Sequence, residues 1–174
     1  MPSTRLSPEK WIAAGLDALA ASGPGALAAE PLARTLKTTK GSFYWHFKDL
    51  PAYQRAVVEK WRKDALNDLA QAVASNASAD QQLRELGRKV LSDDKETAFR
   101  IWARTDAEVA GVLQGVDRER LTYISLLLRE LGLGNADFAR ALQACLAGLP
   151  ALPDVQRRDQ LAVFNTLVDT VLAL

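Results

Sequence analysis

The sequence predicts an all-α protein, on three observations. Apolar residues recur with a helical period of three to four along almost the whole chain, and no stretch alternates as a strand does. Pro, Ser and Asp stand where helices should open. Short segments rich in Gly, Asn and Pro (SGPG, SNASAD, GLGN, LPALPD) divide the periodic stretches.

The elements follow in order. Ser7 and Pro8 open a first helix whose face is Trp11, Ile12, Leu16 and Leu19, and SGPG at 22–25 stops it. A short helix opened by Pro31 carries Leu32, Ala33 and Leu36. Thr38 and Thr39 make a tight connection to a second short helix, GSFYWHF, at 41–47. Asp49 is placed to cap a long helix over 50–74, with Pro51 in its first turn and a stripe of Val57, Val58, Trp61, Ala65, Leu69 and Val73. Another helix carries Leu83, Leu86, Val90 and Leu91. SDDKE at 92–96 reads as a loop or cap before a short helix over 95–105 with Phe99 and Trp102. A longer stretch over 106–131 is interrupted at QGVD, 114–117. Helices over 136–148 and 156–174 close the chain.

At 174 residues the chain can bury a sizeable core. Its 48% hydrophobic and 25% charged content is that of an ordinary globular protein. No apolar run reaches the roughly 20 residues that cross a bilayer, and MPSTRLSPEKW has no secretory apolar stretch. Cys145 is the one cysteine, so no intrachain disulfide forms. A cytoplasmic, non-membrane protein is expected. The net charge of +1 hides an asymmetry. Residues 1–63 hold ten Lys or Arg against five Asp or Glu, and residues 64–174 hold twelve against sixteen. A basic end on an acidic body points to a polyanionic partner.

Catalysis and metal binding find little support. His46 is the single histidine and has no nucleophile beside it in the sequence. Asp93, Asp94 and Glu96 have the ordinary look of a helix start. No phosphate-cradling glycine loop or nucleophile motif is present. No cofactor, no metal and no enzymatic activity are expected.

The stretch TTKGSFYWHFKDL, 38–50, carries the sharper signal. Two short helices joined by a tight turn outline a helix-turn-helix, whose second helix enters the DNA major groove. Phe43 and Phe47, four apart, share a side and should pack inward against Ile12, Leu16, Leu32 and Leu36. Thr39 caps the second helix. Lys40, Gly41 and Ser42 then fill its first turn, with glycine permitting close backbone approach. Tyr44, Trp45 and His46 face other directions, and Tyr44 and Lys48 suit phosphate oxygens.

LARTLKTTKGSFYWHFKDLPAYQRAVV resembles the N-terminal signature of the tetracycline-repressor (TetR) family of transcriptional regulators, most closely at 32–33 and 41–48. The motif resemblance spans about residues 7–62; beyond it only the helical plan and length agree. The turn departs from the family's glycine–valine, having Lys37 then Thr38. The resemblance implies a helix-turn-helix DNA-binding domain over 1–49 and a helical ligand-binding and dimerisation domain over 50–174. It implies a homodimer on double-stranded, palindromic operator DNA, released by a small-molecule effector. Trp61, Phe99, Trp102, Tyr123 and Phe138 are candidates to line the effector cavity, although core packing is the ordinary use of such side chains. Arg100, Arg104 and Glu108, four apart in series, are read as a solvated or paired face or as an anchor for a polar effector. The last two helices, one with Phe138, Leu142, Cys145, Leu146 and Leu149 and the other with Leu161, Phe164, Leu167, Val168, Val171 and Leu172, hold enough apolar surface for a four-helix dimer contact or for completing the monomer. Two rival readings are a ligand-independent DNA-binding or architectural protein, and a helical adaptor or enzyme that borrows the motif.

Overall fold

The computed structural model describes residues 6–174; residues 1–5, the start of the expected first domain, lie outside it. Among the described residues the chain forms nine α-helices and no strand. These are α1 (Pro8–Ser22), α2 (Ala29–Thr35), α3 (Lys40–His46), α4 (Leu50–Val73), α5 (Ala79–Ser92), α6 (Asp94–Trp102), α7 (Ala107–Glu130), α8 (Ala136–Gly148) and α9 (Arg157–Leu172). Short 3-10 turns follow α1 and α8. None of the helices is long and apolar enough to cross a membrane.

Caps set the boundaries. The Asp49 carboxylate accepts from the Ala52 N–H at 2.7 Å and starts α4 where the sequence placed it. Asp93 caps α6, Asp106 caps α7 and Asn135 caps α8, each accepting backbone N–H groups with its side chain. Two expectations need correction. The second helix begins at Ala29, before Pro31, and has no side-chain cap. The break expected at QGVD is absent, for α7 runs unbroken from Ala107 to Glu130. Val109, Leu113, Val116, Tyr123 and Leu127 bury one face along that length. This burial outweighs the roughly 1 kcal/mol that each of Gly111 and Gly115 costs the helix.

Two hydrophobic clusters form the interior. The first joins α1, α2 and α3 to the first half of α4, to α6 and to the start of α7, from Trp11 through Trp61, Phe99 and Trp102 to Val116. The second joins α5, the second half of α7, α8 and α9, and includes Leu83, Ile124, Leu142, Phe164 and Val168. α4 and α7 pass through or beside both. A glycine stands at one close approach in each cluster: a Cβ on Gly15 would overlap the Tyr53 hydroxyl, and one on Gly87 would overlap the Phe164 ring.

Between the clusters lies a charged group. Glu96, 1% exposed, accepts from Arg120 through both oxygens at 2.8 and 3.0 Å, and from Arg100 at 2.6 Å. Arg100 also grips Asp117 bidentately at 3.0 and 2.8 Å, and the Gln143 amide donates to Asp117 at 3.0 Å. Two guanidinium groups thus meet two carboxylates. Burial works against the Arg100 charge, but the bonds to Asp117 and Glu96 outweigh it and hold its proton more tightly than usual.

The turn between α2 and α3 closes with the two bonds of a Schellman motif. The Thr38 N–H reaches the Ala33 carbonyl at 2.9 Å, and the Lys37 N–H reaches Arg34 at 3.1 Å. This geometry puts Lys37 at φ 52°. The same motif ends α7, where Leu133 bonds to Leu128 and Gly132 to Arg129, and there a glycine holds the left-handed position at φ 83°. A side chain in this conformation costs about 1 kcal/mol. Lys37→Gly should therefore raise unfolding stability by about 1 kcal/mol in urea titration. No gain would show that the Lys37 backbone is unstrained.

Candidate nucleic-acid interface

α3 owes its orientation to what lies beneath it. Phe43 is fully buried and Phe47 nearly so. Phe43 meets Trp11 edge-on at 5.4 Å between centroids and Tyr53 at 5.0 Å. Phe47 meets Tyr53 at 4.8 Å. Leu16 and Leu32 belong to the same cluster, with Ile12 and Leu36 half-buried against it. The Tyr53 hydroxyl, itself buried, donates to the Trp11 carbonyl at 2.7 Å and ties α4 to α1. Burial pushes that phenol above its ordinary value. A short helix with so firm an underside has its other faces fixed as well.

The opposite face is outward. Thr39, Lys40, Gly41, Tyr44, Trp45 and Lys48 are exposed, Tyr44 by 50% and Trp45 by 68%. Lys40 and Tyr44 are four apart on this face, and Lys48 is exposed just past the helix end, beyond the extended Phe47. Among the described residues Lys37, Lys40 and Lys48 have no ion-pair partner. By contrast, Lys60, Arg62 and Lys63 further along α4 pair with Asp64 and Glu59. Three cations of the first third are therefore engaged on α4, while the lysines around α3 stay available.

Thr39 accepts from the Ser42 N–H at 3.3 Å, the cap expected of it, and Ser42 is half-buried. Gly41 has space for a side chain, since an added Cβ would only touch the Thr39 hydroxyl at 3.7 Å. Nothing inside the protein requires glycine there. His46 departs from the other seven residues. It is half-buried, its Nε2 enclosed without a hydrogen-bond partner, at the rim where α3 meets the start of α1. There the Glu9 carboxyl is held below its usual range first by the Ser7 hydroxyl and in smaller part by His46.

The five aromatic residues expected at an effector cavity do not come together. Trp61 stacks on Phe99 at 4.5 Å and Phe99 on Trp102 at 5.9 Å, all three buried in the first cluster. Tyr123 is buried in the second cluster, its hydroxyl donating to the Gln82 side chain at 2.5 Å, and Phe138 packs half-buried against that cluster. Nor do Arg100, Arg104 and Glu108 share a helix face. α6 ends at Trp102 and Asp106 caps α7, so Arg100 is drawn into the charged group while Arg104 and Glu108 are exposed. The acidic group at 93–96 divides as well: Asp93 caps, Asp94 pairs with Arg157, and Glu96 is buried. Among the described residues no three His, Cys, Asp or Glu side chains gather as a cation site.

No family model matches the chain, and no curated protein matches it. A transcriptional regulator from Rhodococcus sp. Rha1, known from its crystal structure, has the same fold, with a TM-score of 0.79 and 19% identity over 97% of each chain. At that identity the likeness speaks for the fold.

Proposed function

We propose that this protein is a DNA-binding transcriptional regulator of the TetR kind, in which residues 1–49 form the DNA-binding head and 50–174 the body. The observation that carries the reading is the outward side of α3, where Lys40 and Tyr44 are exposed over a buried aromatic underside and exposed Lys48 follows just past the helix end. Thr39, Lys40, Gly41 and Ser42 take the helix start that meets bases and phosphates, with bare Gly41 allowing close approach. Tyr44 and Lys48 hold phosphates, Trp45 lies flat on the groove wall, and His46 supports the edge. The chain acts as a homodimer through the outward faces of α8 and α9, where Ala141, Ala144, Val163 and Thr166 are exposed. Two heads about 34–36 Å apart then read a palindromic operator. As a repressor it is released when an effector favours a body conformation that mis-spaces the heads, by linkage. α4 is the lever, joining Lys48 to Trp61 and through it to α6.

Gel shifts on the DNA flanking its coding region test this reading. Lys48→Ala should weaken binding to every sequence and lower the salt slope by about 1. Absence of any salt-sensitive, sequence-specific complex with the unaltered protein would end it. A second reading, a regulator that needs no ligand, draws support from the packing of Trp61, Phe99 and Trp102, which occupy space an effector would use. It predicts that a thermal-shift screen finds no stabilising small molecule.

A further inference from the structure

We propose that the outer side of α6 is a binding site for a small amphipathic anion, a carboxylate carrying an apolar tail. A cleft of about 460 Å3 opens there, lined chiefly by Thr97, Arg100, Ile101, Arg104, Leu113 and Pro150. Its size is that of a small-molecule site. A second hollow of about 260 Å3 shares Thr97, Ile101 and Pro150 with it and extends to Leu19 and Gly23 at the end of α1, with the paired Asp94 and Arg157 also in its lining. Ile101 forms part of the wall common to both and is 54% exposed, a large apolar side chain without a partner helix. Leu113, Ala147, Pro150 and Ala151 extend the apolar lining.

The charge around the larger cleft is one-sided. Two arginines line it and no carboxylate does. Arg104 is exposed and forms no ion pair. Arg100 spends its two terminal nitrogens on Asp117 and Glu96 and its Nε is enclosed, so Arg104 is the arginine of the lining that is open to a ligand. A carboxylate satisfies a guanidinium N–H more strongly than a neutral acceptor does. The anionic head belongs beside exposed Arg104, and the tail lies along Ile101 toward α1. This site differs from the cavity expected among the aromatic residues, none of which lines it.

The site rests on the regulator reading only for its consequence on DNA, since a ligand there would touch α1, α6 and the turn before α9 at once. Binding is tested without DNA. Calorimetric titration of the full chain with dodecanoate, below its micellar concentration, should show saturable binding of one molecule per chain. Dodecyltrimethylammonium should not bind. Arg104→Ala, at an exposed residue without an ion pair, should keep the unaltered melting curve and weaken dodecanoate on the order of tenfold, the loss of one charge-assisted contact. Ile101→Ser should weaken it too. No saturable binding, equal binding of the cation, or an unchanged affinity in Arg104→Ala would overturn the proposal. Absence of any sequence-specific DNA complex in gel shifts with the unaltered, ligand-free protein would overturn the regulator reading and leave this site standing.

Discussion

Arg120→Ala is expected to destabilise the protein by about 3–5 kcal/mol, because it leaves a buried charge without its counterpart. Glu96 is 1% exposed, and both its oxygens accept from Arg120. With Arg120 gone, Arg100 alone must serve Glu96 and Asp117, two carboxylates on two helices. Domains are stable by only about 5–15 kcal/mol, so the loss is a large share of the total. Urea titration should show a lower midpoint with an unchanged slope. The control is the pair Glu96→Leu and Arg120→Met made together. Removing both charges leaves the balanced Arg100–Asp117 pair, so the double variant should lie much nearer the unaltered protein than Arg120→Ala does. Under 1 kcal/mol for Arg120→Ala, or a double variant as unstable as the sum of Glu96→Leu and Arg120→Met alone, would show that the group is not electrostatically coupled.

Gly15→Ala should cost about 2–3 kcal/mol by overpacking and by disturbing a buried hydrogen bond. The added Cβ would overlap the Tyr53 hydroxyl and come within 3.1 Å of Val57 Cγ2. Tyr53 has nowhere to retreat, being fully buried and bonded to the Trp11 carbonyl, with Phe43 and Phe47 on its ring. The displacement passes directly to the floor of α3, so on the proposed regulator function DNA affinity should fall with stability. Tyr53→Phe removes the oxygen that would be struck. The double variant Gly15→Ala with Tyr53→Phe should therefore be more stable than Gly15→Ala alone, by at least about 1 kcal/mol. Additive losses in thermal melts would contradict this account.

Local chemistry made most of the helices readable. Asp49, Thr39 and the glycine-bearing stops act within a turn of where they stand, so their effect is visible without knowing the fold, whereas Ser7 stands at the N-cap of α1 without a side-chain cap bond. The side of α3 that turns inward was legible for the same reason, since Phe43 and Phe47 are one turn apart. The unbroken α7 was not, because distant burial overrides two glycines. Nor was the Glu96–Arg120 pair, whose members are 24 residues apart and acquire a relation only when α6 lies on α7. Gly15 and Gly87 did offer a signal: each is a glycine inside an apolar helical stretch, which often marks another group pressed against the backbone. The dispersal of the five aromatic residues over two clusters had none, for periodicity states that a residue is inward but not which interior it enters.

The first cluster has a bearing on modular engineering. Its members do not stop at Asp49 but continue through Val57, Trp61, Phe99, Trp102 and Val116. Residues 6–49 cut away and spliced onto a foreign body would lose part of their own interior, and with it the floor that orients α3. A working chimaera would have to carry the first half of α4 and the inward residues of α6 along with the graft. Natural recombination that cut the chain after Asp49 would meet the same obstacle, since it would divide the first cluster.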